Sequence, residues 1–232
     1  MNRFASLLKL DMILIIRNRI LHIAVLITAL YAGILQVLPE NNVITVMITL
    51  IFTDPVTLGF MFIGVMVLFE KGGNTLQALS VTPVRAEEYL CSKAITLTLV
   101  ALVASVLMAL AGVGLQFRPG FLIAAVVFSS ILFVFIGFIG VSKVKTFNQY
   151  FIIIPMFMIP GFLPFLNFFH ITDTWLWYLL PTQASLVLFS AAFETTVTIT
   201  RIEIIYALFY LPLSCWFALL WARSVWQKTI NP

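Results

Sequence analysis

Apolar positions fall in long runs separated by short polar stretches, and the rhythm differs only at the start. From Asn2 to Arg19, Phe4, Leu7, Leu8, Met12, Ile15 and Ile16 recur at helical spacing while Asn2, Ser6 and Lys9 occupy another face. This predicts an amphipathic helix over residues 1–19, lying in a membrane interface. Arg17, Asn18 and Arg19 separate it from the first long apolar run, because charges near mid-membrane are costly. Six apolar runs then predict spans at about Ile20–Leu38, Thr45–Phe69, Ala94–Leu115, Phe121–Val141, Tyr150–Phe169 and Ile204–Trp221. Two of them carry interruptions. Asp54-Pro55 falls inside the 27-residue stretch Val43–Phe69, and proline breaks the helical ladder. The expectation there is a kinked span, or a short outer helix followed by a span from Pro55. The fifth run contains Pro155, Pro160 and Pro164, which predicts a broken helix whose freed carbonyls are satisfied by protein or water. The part after Pro160 need not cross. Residues 70–93 form the longest polar stretch, and residues 170–203 are mixed and aromatic.

Composition turns these runs into membrane spans. Apolar residues make up 62% of the 232 and charged residues 9%, against roughly 45–50% and 25% in soluble domains. So few charges cannot cover a soluble surface, and the bilayer is the implied surrounding. The net charge of +4 comes from cations scattered between apolar runs, not from a patch, which excludes nucleic acid as a partner. Their distribution is a topology signal. Arg3, Lys9, Arg17, Arg19, Lys71, Arg85, Lys93, Lys143, Lys145, Arg223 and Lys228 fall on one side, and Arg118 and Arg201 on the other, 11 against 2. Both termini are expected in the cytoplasm of a multi-pass cell-membrane protein. Trp175, Trp177 and Tyr178 then suit the outer aromatic belt, and Trp221 and Trp226 the inner one. Cys91, at a cytoplasmic helix start, and Cys215, inside a span, read as two unpaired thiols.

Reactive chemistry is sparse. The sequence contains no H-E-x-x-H, no G-x-S-x-G and no P-loop, so neither metalloprotease nor serine hydrolase chemistry nor ATP hydrolysis by that route is carried here. His170 and Asp173 have i, i+3 spacing, which a surface pair explains as well as a metal site, and no metal ligands or catalytic residues are assigned. Asp54 is the one acid within a span and reads either as an ion ligand or as a helix cap at the outer surface.

The stretch from Glu70 to Lys93 carries the most information. Gly72-Gly73 ends a span, Asn74 can cap a short helix over Thr75–Ser80, and Thr82-Pro83 starts a second one near Glu87 and Glu88. Leu76 and Leu79 give the first helix a small apolar face. A connector needs only a few residues, so this elbow reads as a docking surface for a soluble partner, with Glu70 and Arg85 as charge contacts at its rim.

The stretch Phe69-Glu70-Lys71-Gly72-Gly73-Asn74-Thr75-Leu76-Gln77-Ala78-Leu79, then Thr82-Pro83-Val84-Arg85 and Lys93, resembles the loop between the second and third spans of ABC-2 type permeases. Leu179-Leu180-Pro181-Thr182, preceded by the proline-rich run, resembles that family's re-entrant segment between the fifth and sixth spans. With the N-terminal helix, the likeness covers nearly the whole chain and is strongest to small drug-export permease subunits, including those for fluoroquinolones. It departs at Gly72-Gly73-Asn74, where many members carry a charge.

The resemblance implies an all-α polytopic fold with six spans and a non-catalytic half-transporter. It implies two copies of an ABC ATPase subunit as partners and a second permease, identical or related. This chain would bind no cofactor; ATP and Mg would be used on the ATPase. Coupling would fall to Glu70, Thr75, Leu76, Leu79, Pro83 and Arg85, and the pathway for a hydrophobic or amphipathic molecule to Asp54, Pro55, Pro155, Pro160 and Pro164. Two other readings stand beside it. One is a membrane scaffold or immunity subunit that binds a peptide without moving it, and the other a proton-coupled carrier using Asp54.

Overall fold

The computed structural model describes residues 3–73, 85–172, 174–193 and 199–230. Among them every regular element is a helix. In order these are α1 (Arg3–Arg17), α2 (Ile20–Val37), α3 (Glu40–Ile51), a π turn (Phe52–Val56), α4 (Thr57–Gly72), α5 (Ala86–Val113), α6 (Pro119–Ser142), α7 (Phe147–Phe162), α8 (Phe165–Phe168), a 3-10 turn (Trp175–Leu179), α9 (Pro181–Ala192) and α10 (Arg201–Ile230). Five are long and apolar enough to cross a membrane: α2, the continuous 42–72 helix, α5, α6 and α10. The protein is an all-α polytopic membrane protein.

α6 lies at the centre. Its residues are buried along its length, and it packs against α4, α5, α7, α9 and α10. The closest approach is at Gly137, where a Cβ would come within 2.7 Å of the Phe60 carbonyl oxygen and 2.9 Å of the Phe60 Cα. Small residues that let backbones meet are how helices associate when lipid supplies no hydrophobic contrast. The periphery is apolar instead. Ile152 is 78% exposed and Phe209 76%, which is expected of side chains facing lipid tails.

The helix boundaries depart from the apolar runs in four places. First, α4 continues through Glu70 to Gly72 and α5 starts at Ala86, so Glu70 and Lys93 stand on helices and not in a loop. Their polarity is paired inside the bundle and does not mark solvated chain. Secondly, the helix survives Asp54-Pro55. A proline has no N–H to offer the carbonyl one turn back, and a proline ring crowds that carbonyl; the widened π turn absorbs the mismatch. Thirdly, Pro155 and Pro160 lie within α7 without ending it, and the chain turns only at Leu163–Pro164. That leaves α7 about 24 Å long at ~1.5 Å per residue, shorter than the five helices long enough to cross. Fourthly, residues 170–203 include a helix, α9, that is buried from Thr182 to Ala192.

α9 packs inside the bundle against α6 and α10. The Arg118 amide, at the start of α6, donates to the Ala192 carbonyl at 2.8 Å. Deeper along α6, Ser129 Oγ donates to Ser185 Oγ at 2.7 Å. The 3-10 turn before α9 is held by tyrosines of α10: the Tyr206 hydroxyl donates to the Tyr178 carbonyl, and the Tyr210 hydroxyl to the Leu179 carbonyl at 2.6 Å. Backbone that leaves the helical ladder at membrane depth needs such internal partners.

Candidate functional site

The end of the bundle that gathers most cations holds a closed charge cluster. α1, α4 and α5 converge there because each places one ionisable side chain on its buried face. Lys93 Nζ lies 2.9 Å from Asp11 Oδ1 and 2.6 Å from Glu70 Oε1. The second oxygens are also occupied: Ser92 Oγ donates to Asp11 Oδ2 at 2.6 Å and the Tyr89 hydroxyl to Glu70 Oε2 at 2.5 Å. Lys93 further sits 4.6 Å over the Tyr89 ring, a cation–π contact. All three charged side chains are nearly inaccessible, Lys93 at 1%. Ions buried this way are tolerated only when every hydrogen-bonding position is filled.

Around this cluster the remaining helix ends are tied in. Tyr89 packs on Trp226 of α10 with centroids 4.2 Å apart, and both meet Phe138 of α6. Lys71 Nζ donates to the carbonyls of Val141, Ser142 and Val144 at 2.9, 3.1 and 2.8 Å. That cation caps the negative end of α6 and occupies its orphan carbonyls. At the first turn of α5 the Arg85 amide donates to Glu88 Oε2 at 2.9 Å, fixing the helix start with an acid near its positive end. Arg223 reaches Glu87 at 2.5 Å on the exposed side.

Glu70 is therefore not a rim contact. It is 4% exposed and spends both oxygens inside the protein, so it can act on a partner only through α4 and α5. Arg85 is exposed at the start of α5, where a rim residue should be. Thr75, Leu76, Leu79 and Pro83 lie outside the described residues.

The second site is in the bundle's middle. Tyr31 lies about 16 Å along α2 from Ile20 at ~1.5 Å per residue, roughly half of a ~30 Å hydrocarbon core. Its hydroxyl and the Asp54 carboxylate are close enough to interact electrostatically. Asp54 Oδ2 is enclosed and has no partner among the described residues. The two side chains border a narrow recess between α2, the π turn with α4, and α5. The outer-surface cap is thus corrected: Asp54 is inside a continuous helix, with Thr49 and Thr53 hydroxyls donating to carbonyls one turn back at 2.8 and 2.7 Å.

Asp54 and the prolines are not brought together. The π turn separates them: Asp54 faces α2, whereas Phe52 packs on Phe133, Phe162, Phe165 and Phe189 at 5.1–6.3 Å between centroids. Pro155 and Pro160 are on the exposed side of α7, and Pro164 is buried at the α7–α8 corner beside that phenylalanine cluster. Pro55 belongs to the π turn itself.

A third polar region lies between the 3-10 turn, α9 and the start of α10. The Tyr178 hydroxyl donates to Glu203 Oε1 at 2.5 Å. Burial and then the Glu203 carboxylate push Tyr178 up to about 12, so it stays protonated and keeps donating throughout the physiological range. His170 is nearby, but Asp173, its suggested partner, lies outside the described residues. Among the described residues no three His, Cys, Asp or Glu side chains gather to hold a metal. Cys91 and Cys215 are both free thiols.

Sequence comparison decides the family. A profile of the fluoroquinolones export permease protein family matches residues 2–230. The chain belongs to that family. Two curated members are the fluoroquinolones export permease proteins of Mycobacterium tuberculosis strains CDC 1551 / Oshkosh and ATCC 25618 / H37Rv, each 29% identical over 217 residues, covering 93% of this chain and 90% of the relative. This export permease is thus a membrane transport protein, in keeping with its spanning helices.

Asp11, Tyr31 and Tyr89 were not singled out by the sequence, and Lys93 stood there as a topology marker. One signal was present: Asp11 is the lone acid on a basic N-terminal helix, and Lys93 opens an apolar run that cannot solvate it.

Proposed function

We propose that this chain is the membrane-spanning permease subunit of an ABC exporter, moving an amphipathic drug-like molecule out of the cell with ATP hydrolysed on a separate subunit. The curated relatives carry the fluoroquinolone export name, and compounds of that class are the first substrates to test. The observation that carries the reading is the Asp11–Lys93–Glu70 cluster, which ties α1 to both helices flanking residues 74–84. A force applied to that stretch reaches three helices through side chains that cannot separate without stranding buried charge.

On this reading Leu76 and Leu79 dock on the ATPase, Thr75 and Pro83 shape the elbow, and Arg85 lies at its edge. Two permeases and two ATPases form the working assembly, ATP with Mg is bound on the ATPase, and both termini are cytoplasmic, as the 11-to-2 cation distribution favours. The test is co-purification with an ATPase subunit, then ATP-driven drug movement in liposomes. Substrate-stimulated ATPase activity and outward transport are expected. Transport that persists without any ATPase would replace this reading with the proton-coupled carrier.

A further inference from the structure

Two recesses of this molecule adjoin, and the acid that borders the inner one has an oxygen without a partner among the described residues. The inner one is the recess at Asp54 and Tyr31. The outer one is an apolar groove between α2 and α5, bordered by Leu21, Val25, Leu99, Val103 and Leu107. Ala24, Thr28, Val100 and Ala104 border both, so these four side chains are all that the two recesses share as a wall. Several groove residues face outward; Val25 is 60% and Val103 58% exposed, so the groove opens towards lipid.

Its polar content is narrow. The Thr28 hydroxyl is committed to the Ala24 carbonyl at 2.7 Å, and the Tyr31 hydroxyl is beside Asp54. No lysine, arginine or histidine lines either cavity. A carboxylate at mid-membrane is costly without a counter-charge, and none is supplied by these walls. A hard divalent ion wants six or more oxygens, more than this site offers. A ligand with one cationic N–H and an apolar body suits this chemistry: its body lies in the groove, and its nitrogen supplies the partner that the enclosed Asp54 Oδ2 lacks once the shared wall gives way.

We infer that the Asp54–Tyr31 recess recognises the protonated amine of an amphipathic molecule that arrives from the membrane between α2 and α5. Asp54 forms the charge-assisted hydrogen bond, and Tyr31 holds the carboxylate in position. The π turn at Pro55 aims Asp54 at α2 while Phe52 anchors the opposite side of the turn. This assignment deepens the exporter reading by naming a substrate class and a binding position.

The experiment uses the full-length permease in lipid nanodiscs, without ATPase, and two fluorescent probes: monodansylcadaverine, an amphipathic primary amine, and its neutral N-acetyl derivative. Wild type should bind the amine about tenfold more tightly, the typical value of a charge-assisted hydrogen bond. Asp54→Asn should bind the two probes alike. Tyr31→Phe should keep the preference but reduce it about threefold. Equal binding of both probes by wild type, or a preference retained in Asp54→Asn, overturns the assignment. If Asp54→Asn does not fold, Ala104→Leu provides the second arm. It narrows the passage without touching charge and should weaken amine binding about tenfold, and unchanged affinity there also overturns it. Binding and export fail separately: probe selectivity without ATP-driven movement removes the exporter reading and leaves the site, whereas ATP-driven movement without selectivity does the reverse.

Discussion

At the cation-rich end, Asp11 and Glu70 have a donor on every carboxylate oxygen, whereas Asp54, midway through the same bundle, leaves Oδ2 without one. Both sites lie on helices that cross or border the membrane, and both withdraw acids from water. The first is complete in itself: lysine, serine and tyrosine fill it, and nothing from outside is needed. A complete cluster fixes geometry and transmits displacement. The second has a tyrosine, small side chains and a groove in front of it. An incomplete site retains free energy that a ligand can release. The contrast separates a joint from a receptor within one small permease.

Removing the lysine should break the comparison most visibly. Lys93→Met leaves two carboxylates facing each other with no cation, and breaking a buried pair in this way costs about 3–5 kcal/mol. Thermal unfolding in detergent should show a large loss, or the protein should fail to accumulate. Replacing all three partners, as Asp11→Asn, Glu70→Gln and Lys93→Met, should recover most of that stability, because no net buried charge remains. Coupling should not recover, since neutral groups no longer resist separation. A single Lys93→Met variant as stable as wild type would show that the cluster is not the joint described.

The next effect tests whether the two sites share a framework. Gly137→Ala places a Cβ against the Phe60 backbone, which cannot rotate away. Overpacking of this kind costs about 1–3 kcal/mol, and α4, which carries both Glu70 and the π turn's outlet, must shift. Stability and probe binding at Asp54 should fall together. Gly72→Ala is the control, because no atom lies within 4 Å of the added Cβ. Loss of stability with unchanged binding would mean that α4 moves only at one end.

Asp54→Asn should have the opposite sign in the stability assay. It removes a charge that the protein itself leaves unpaired and keeps an oxygen for Tyr31 to approach. Unfolding should be unchanged or up to about 1 kcal/mol more favourable to the folded state, while amine binding is lost. Stability gained at the expense of ligand recognition is the usual mark of a functional residue. A destabilisation as large as that of Lys93→Met would place Asp54 with the closed cluster instead.

Much of this was legible in the chain. Long apolar runs and cation placement carry the spanning helices, and the 70–93 pattern carries the permease resemblance. What stayed hidden were partnerships across distance. Asp11 and Lys93 are 82 positions apart, and a lone acid on a basic helix looks like a solvated side chain until α5 is laid against it. Glu70 misled in the same way: a polar stretch suggests solvent, although its polarity is consumed internally. Prolines misled differently. Pro155 and Pro160 read as breaks, but both are on the exposed side of α7 and the helix passes them. α9 showed only weakly, because it is short and buries Thr182, Gln183, Ser185 and Ser190 among apolar residues, so its periodicity does not stand out.

The smallest effect belongs to the one described ion pair that stands in solvent. Arg223 and Glu87 are 2.5 Å apart, yet their side chains are 48% and 49% exposed. Water competes for both groups, salt screens them, and holding two long side chains costs entropy, so such pairs contribute about 0–1 kcal/mol. The pair links α10 to α5 close to the buried cluster, and a distance-based ranking would place it beside Lys93–Glu70. Burial gives the opposite order. Arg223→Gln should shift unfolding by no more than about 0.5 kcal/mol, and that shift should vanish in high salt, whereas the Lys93→Met loss should persist there. A double-mutant cycle with Glu87→Gln measures the pair directly. A coupling above about 2 kcal/mol would exceed what exposed pairs supply and would make the α5–α10 contact part of the joint.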